Sequence, residues 1–201
     1  MTEIQPMEPV KMSEVVNIAE YEKIRPDFRK KVIAEKERRR VIVGPNFTFL
    51  FENHLTVLYQ VQEMMRVERI VEDKAIAHEV STYNELLPPP GGLGATLLVE
   101  FPEAETRVQR LRELLGIEHH VWLKVGDLPP LKGSFDTRQM GDDKISSVQY
   151  LTFSLEQAHR ENWPMGAASD TVKLVVDHPH YQHETVLSAE QRAALAEDFN
   201  A

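Results

Sequence analysis

Pro88-Pro89-Pro90-Gly91-Gly92-Leu93-Gly94-Ala95-Thr96-Leu97-Leu98-Val99-Glu100-Phe101 is the stretch on which the reading of the fold turns. Proline lacks the amide donor that a helical turn needs and glycine leaves a helix easily, so residues 88–92 end the preceding helix and mark the best boundary in the chain. The apolar run from Ala95 to Phe101 then reads as a strand. Glu103 to Leu115 carries acids in its first turn and Gly116 at its end, as a helix should. Val121, Leu123 and Val125 alternate with Trp122 and Lys124 in a second strand. A glycine-containing acidic loop over 126–143, a strand from Ser147 to Phe153, a short helix from Ser154 to Trp163 and a strand from Val172 to Val176 follow. The order β, α, β, β, α, β is the ferredoxin-like pattern, with a last helix opened by Ser188.

N-terminal to the boundary the rhythm is helical. Ile18, Tyr21, Ile24, Phe28 and Val32 recur at steps of three and four, so residues 13–40 read as helix, divided or kinked at Pro26. Val41 to Phe51 is β-branched and aromatic around Gly44-Pro45-Asn46 and predicts a short hairpin. Residues 53–70 form the strongest helix: Val57, Leu58, Val61, Met64 and Met65 share one face, whereas Asn53, Thr56, Gln60 and Glu63 make a separate narrow stripe of hydrogen-bonding side chains. A further helix from Asp73 aligns Ile76, Val80, Tyr83 and Leu87. The expectation is an α+β protein: residues 1–92 a helical region with a β-hairpin, packed on a ferredoxin-like βαββαβ region with a C-terminal helix over 93–201, as two regions or one continuous domain.

Composition narrows the class. The 201 residues are 42% hydrophobic and 27% charged, which suits a folded core, and cysteine is absent. That absence removes disulfides, thiolate catalysis and Cys-ligated metal from consideration. With no secretory signal and no apolar run long enough for a bilayer span, a cytoplasmic protein without membrane insertion is expected. The net charge of -9 argues against nucleic acid as a partner, although residues 21–40 alone carry +5. Their interleaved Glu and Asp make a solvated amphipathic face the simpler reading, with salt bridging to the acidic remainder as a second, so the segment is expected to serve the fold or an acidic partner.

Candidates for chemistry are few. His178, His180 and His183 lie within six residues beside Asp177 and Glu184, and imidazoles with carboxylates suit Zn or Fe. The alternative is an exposed strand end, because Pro179 cannot donate to a sheet ladder. Glu156 and His159 alone have the Glu-x-x-His spacing of a di-iron bundle, which is too little for that site. Gly91-Gly92-Leu93-Gly94 precedes a strand rather than following one, the wrong context for a phosphate loop, and reads as a flexible connection. The polar stripe Asn53, Thr56, Gln60, Glu63, with Glu52 before it and Arg66 and Glu68 beyond, is either a surface strip, a buried network or the wall of a ligand site. If it is buried, Arg25 or Arg29 from the preceding helix should meet its carboxylate.

At this stripe the sequence resembles a bacterial family of about this length known as a domain of unknown function, DUF3501. Phe51-Glu52-Asn53, Thr56, Gln60, Glu63-Met64, Arg66 and Glu68 carry the resemblance, together with Tyr21-Glu22, Arg25, Val43-Gly44, Tyr83-Asn84-Glu85-Leu86, Ala95-Thr96-Leu97, Val148-Gln149-Tyr150, Phe153, Asp177-His178-Pro179 and Tyr181. It spans nearly the whole chain. The resemblance implies a gene neighbourhood that holds rubrerythrin and a cysteine-rich iron-sulfur oxidoreductase, and hence a setting of oxidative stress or electron transfer. The expected function is a non-catalytic accessory or binding protein for such redox partners. The rival is a metal- or ligand-dependent enzyme centred on Asn53, Thr56, Gln60, Glu63 and His178.

Overall fold

The computed structural model describes residues 7–164 and 172–199. The Val41–Phe51 hairpin forms as its composition predicts: β1 (Arg40–Val43) pairs antiparallel with β2 (Phe47–Phe51) across Gly44-Pro45-Asn46. Strand β3 (Gly92–Val99) adds to β2, β7 (Val148–Ser154) adds to β3, and the two-residue β6 (Ser134–Phe135) closes the order β1-β2-β3-β7-β6. A second antiparallel sheet has the order β5-β4-β8-β9, from β5 (Leu131–Lys132), β4 (Val121–Val125), β8 (Val172–His178) and β9 (Tyr181–Val186). Alternation along the strands decides the packing. Val41, Phe47, Phe49, Phe51, Leu97, Leu151 and Phe153 from the first sheet share one buried cluster with Val121, Leu123, Val125, Leu174 and Val176 from the second.

A ferredoxin-like sheet therefore does not form. Of its four expected strands, β3 and β7 belong to one sheet while β4 and β8 belong to the other. The stretch read as a loop over 126–143 supplies the reason: β5 and β6 lie on either side of Gly133, so the chain crosses there from one sheet to the other. The coarser expectation, α+β, holds. The β2–β3 ladder also runs across the Pro88–Gly92 boundary and puts residues from both sides of it in one sheet.

Helix α1 (Ile18–Arg38) is capped by Asn17, whose side chain accepts from the Glu20 amide, and it runs unbroken through Pro26. Pro26 is exposed, so water can satisfy the carbonyl that loses its donor, and ion pairs described below tie the helix down on both sides of the proline. Helix α2 (His54–Glu68) packs on α1 and on α3 (Asp73–Asn84), with Val57, Val61, Met65 and Val80 in a second, smaller apolar cluster. Helices α4 (Ala104–Glu113) and α6 (Ala189–Ala196) contribute Leu111, Leu195 and Ala196 to the main core, and the loop after the short α5 (Gln157–Glu161) adds Trp163. Among the described residues no helix is long and apolar enough to cross a membrane.

The Gly91–Gly94 segment is no loose connection either, since β3 begins at Gly92. A Cβ on Gly94 would sit 2.7 Å from the Leu86 carbonyl oxygen and 3.2 Å from the Pro88 nitrogen, so the glycine lets the chain leaving α3 cross close over the strand.

Arg39, at the end of α1, is a buried charge, 1% exposed. Its guanidinium donates to both carboxylate oxygens of Asp198 at 2.8 Å, to the Ala194 carbonyl at 2.9 Å and to Glu35 at 2.6 Å. Removing one member of a buried pair leaves the other uncompensated. Asp198→Ala should lower unfolding free energy by roughly 3 kcal/mol, read as a fall in the urea midpoint with an unchanged slope.

Candidate functional site

The stripe is internal to the fold. Asn53 is the N-cap of α2: its side chain accepts from the Thr56 amide at 3.0 Å while the Thr56 hydroxyl accepts from the Asn53 amide at 2.9 Å, a reciprocal capping box. The Asn53 amide group also donates to Glu35 at 2.6 Å, which links α2 to α1. Thr56 is fully buried, and its hydroxyl donates to Glu52 at 2.5 Å.

Glu52 sits just past β2 and is 1% exposed. Its carboxylate takes the hydroxyls of Thr56 and of Thr96 on β3, the latter at 2.7 Å, and the Gln60 amide at a long 3.4 Å. Among the described residues no cation lies within ion-pair distance of it. Thr96 and Tyr150 are neighbours across the β3–β7 ladder, on the face of the sheet opposite the main core, where α2 lies. Burial raises the pKa of the Tyr150 phenol, and the negative charge of Glu52 adds to the rise.

Glu63, two turns along α2, meets α1. Its carboxylate accepts from the Tyr21 hydroxyl at 2.7 Å and from Arg25 at 2.7 and 3.0 Å, and Arg66 adds a contact at 3.3 Å. The Arg25 bonds, aided by Tyr21, hold the Glu63 carboxyl down at about 2 against partial burial. Arg25 is thus the cation that meets the stripe. Arg29 is exposed on α1, and Glu68 is exposed at the end of α2.

The three histidines are placed by a β-hairpin. Strand β9 returns antiparallel to β8 with Pro179-His180 at the turn. His178 is buried, with Nε2 donating to the Leu115 carbonyl at 3.1 Å and Nδ1 accepting from the His180 amide at 3.2 Å. Burial keeps its pKa below the usual imidazole value. Both ring nitrogens are therefore used by the backbone, and His180 and His183 are exposed. Among the described residues no group of three or more His, Asp or Glu side chains could hold a metal.

Tyr181, beside them, stacks on Phe47 at 3.9 Å between centroids, donates to the Val43 carbonyl at 2.7 Å and accepts from the Asn46 amide at 3.0 Å. Gly44, at φ 66°, lies under it: a Cβ there would stand 2.6 Å from the Tyr181 hydroxyl. The Asp177–Tyr181 motif and Val43-Gly44 meet as one joint between the two sheets.

Sequence reasoning missed a cleft of about 400 Å³ between the end of α3 and the strands β6 and β7, lined among others by Tyr83, Glu85, Phe135, Asp136, Arg138 and Tyr150. Its walls come from segments far apart in sequence, so no local pattern announces it. The signal that could have found it is the pair of motifs Tyr83-Asn84-Glu85-Leu86 and Val148-Gln149-Tyr150, whose first and last tyrosines face one space.

These features define an α+β protein of two stacked antiparallel sheets under a helical layer, with a polar network at the junction and an open cleft beside it. The chain belongs to the family described as "Protein of unknown function (DUF3501)", which matches residues 9–199. It is similar to a novel protein of unknown function from Burkholderia pseudomallei K96243 seen in a crystal structure, with 32% identity and a TM-score of 0.88 over 96% of this chain and 100% of that one. No curated protein matches.

The network is open to two measurements. Thr56→Val removes a donor from buried Glu52 and opens the cap, and should cost roughly 2 kcal/mol, whereas Gln60→Leu, which breaks only the long bond, should cost less than about 1 kcal/mol. Because the folded-state pKa of Glu63 is depressed to about 2 from its usual 4.5, its contribution is complete above pH 4.5 and is lost as pH falls toward 2. Denaturant unfolding across that window should show a loss of roughly 2 kcal/mol that Glu63→Gln abolishes.

Proposed function

We propose that the chain is a non-catalytic cytoplasmic accessory protein that binds a redox partner of the rubrerythrin or iron-sulfur oxidoreductase kind through the outward half of α1. One observation carries the non-catalytic part: the titratable groups of the stripe and His178 are already consumed by internal partners. A general acid or base needs a lone pair or proton aimed at a substrate, and Glu52, Glu63 and His178 each spend theirs on the fold. The rival enzyme reading requires one of these groups to be released.

The basic segment supports the choice of α1. Arg25, Arg38 and Arg39 turn inward onto carboxylates, while Lys23, Arg29, Lys30 and Lys31 remain exposed, with Ile24 50% and Ile33 40% exposed on the same helix. On a chain of net charge -9, such a pole steers toward an acidic surface. The redox identity of the partner rests on the gene neighbourhood that the family resemblance implies.

Isothermal titration of the chain with purified rubrerythrin from the same genome should give saturable binding at low ionic strength that weakens with salt. A Lys30→Glu, Lys31→Glu variant, altered only on the surface, should bind roughly tenfold more weakly. Absence of binding at low salt, or binding indifferent to the charge reversal, overturns the proposal.

A further inference from the structure

The cleft beside the network has the size of a small-molecule site, about 400 Å³, and its two walls have distinct chemistry. The rings of Tyr83, Phe135 and Tyr150 line it, and Thr82, Ser134 and Thr152 add hydroxyls. At its rim Arg138 joins the walls, since its Nη2 lies 2.5 Å from Glu85 at the end of α3 and 2.7 Å from Asp136 after β6. Asp136 also accepts from the Arg138 Nε at 2.9 and 3.0 Å and from its backbone amide at 3.0 Å.

Two observations fix the sign of charge that this cleft accepts, and a third shows that its present occupant can leave. Two carboxylates share one guanidinium, so an anion would have to compete with both for a single cation. Burial raises the phenols of Tyr83 and Tyr150, and Glu79 beside the first and Glu52 and Asp136 beside the second add to the rise, so the carboxylates around the cleft make its field negative. The Arg138 side chain is 68% exposed, and exposed ion pairs hold only weakly, so a ligand can displace it.

We propose that the cleft binds a small organic cation, an ammonium or guanidinium compound, whose charged group replaces the Arg138 guanidinium between Glu85 and Asp136 while its carbon body packs among Tyr83, Phe135 and Tyr150. Arg138 is then a tethered competitor that occupies the site when it is empty. Carboxylates for the charged group and aromatic residues for the carbon body together suit an organic cation better than a polyol. This site is independent of the proposed partner surface on α1.

Agmatine, which carries one guanidinium and one ammonium, is the probe, with glucose and inorganic phosphate as neutral and anionic counterparts, titrated calorimetrically into the full chain. Agmatine should bind saturably, and Glu85→Gln or Asp136→Asn should weaken it roughly tenfold. The distinguishing variant is Arg138→Ala: loss of an exposed side chain spares the fold, and removal of the competitor should tighten agmatine binding roughly threefold or more. A purely structural Arg138 would leave affinity unchanged or weaken it. The proposal fails if Arg138→Ala does not tighten binding, if phosphate or glucose saturates the site where agmatine does not, or if agmatine shows no saturable binding.

Discussion

Glu35 and Arg39, one turn apart on α1, hold the arrangement on which everything else depends. Glu35 accepts from Arg39 at 2.6 Å, from Arg38 at 2.7 Å and from the Asn53 side chain at 2.6 Å, while Arg39 continues to Asp198 and to the Ala194 carbonyl. Burial opposes the charge on Glu35, but the two arginines outweigh it and keep the carboxyl below its usual value. A guanidinium 1% exposed is tolerable only if its partners are all in place, so the end of α1, the N-cap of α2 and the tail of α6 must be positioned together. Once Asn53 is held, α2 leaves at a set angle, and Thr56 and Gln60 arrive above Glu52.

The consequence is a polar layer between two apolar clusters. The sandwich core lies on one face of the first sheet, and the α2–α3 cluster lies beyond the other. Between them the Glu52 carboxylate is satisfied by two hydroxyls and a distant amide, all neutral donors. A satisfied buried network favours one packing, because any slip of α2 strands a polar group in a dry site. The stripe is thus explained as a device of the fold.

Local patterns in the sequence were legible where local physics decides. The α2 helix, the β1–β2 hairpin and β4 all follow from spacing and turn chemistry confined to a few residues. Sheet membership was not, because β4 lies nearer in sequence to β3 than β8 does, yet pairs with β8. Strands of two residues, β5 and β6, are too short to show a period, and β9 alternates polar with polar because most of it is exposed. The stripe was visible as a pattern, and Arg25 was a named partner for its carboxylate if buried, but whether it faced inward was not visible: Asn53 and Glu63 meet Glu35 and Tyr21 on α1 and Thr56 meets Glu52 before α2, contacts that the assembled fold makes.

Many of the residues that carry the family resemblance fall into three places once the fold is known. Tyr21, Arg25, Glu52, Asn53, Thr56, Glu63 and Thr96 build the polar layer, and Gly44, His178 and Tyr181 build the joint between the sheets. Tyr83, Glu85, Leu86 and Tyr150 border the cleft. The first two groups have all their chemistry accounted for by the fold. The third does not, because a cleft is where the fold stops short of filling space. The crossing of Leu86–Pro88 over Gly94 draws the end of α3 down onto β3, while β6 is only two residues long, so the sheet beside that contact stays uncovered. An opening bounded by a close backbone crossing on one side and a short strand on the other is held in shape without a ligand, as a binding site must be if binding is not to be spent on ordering it.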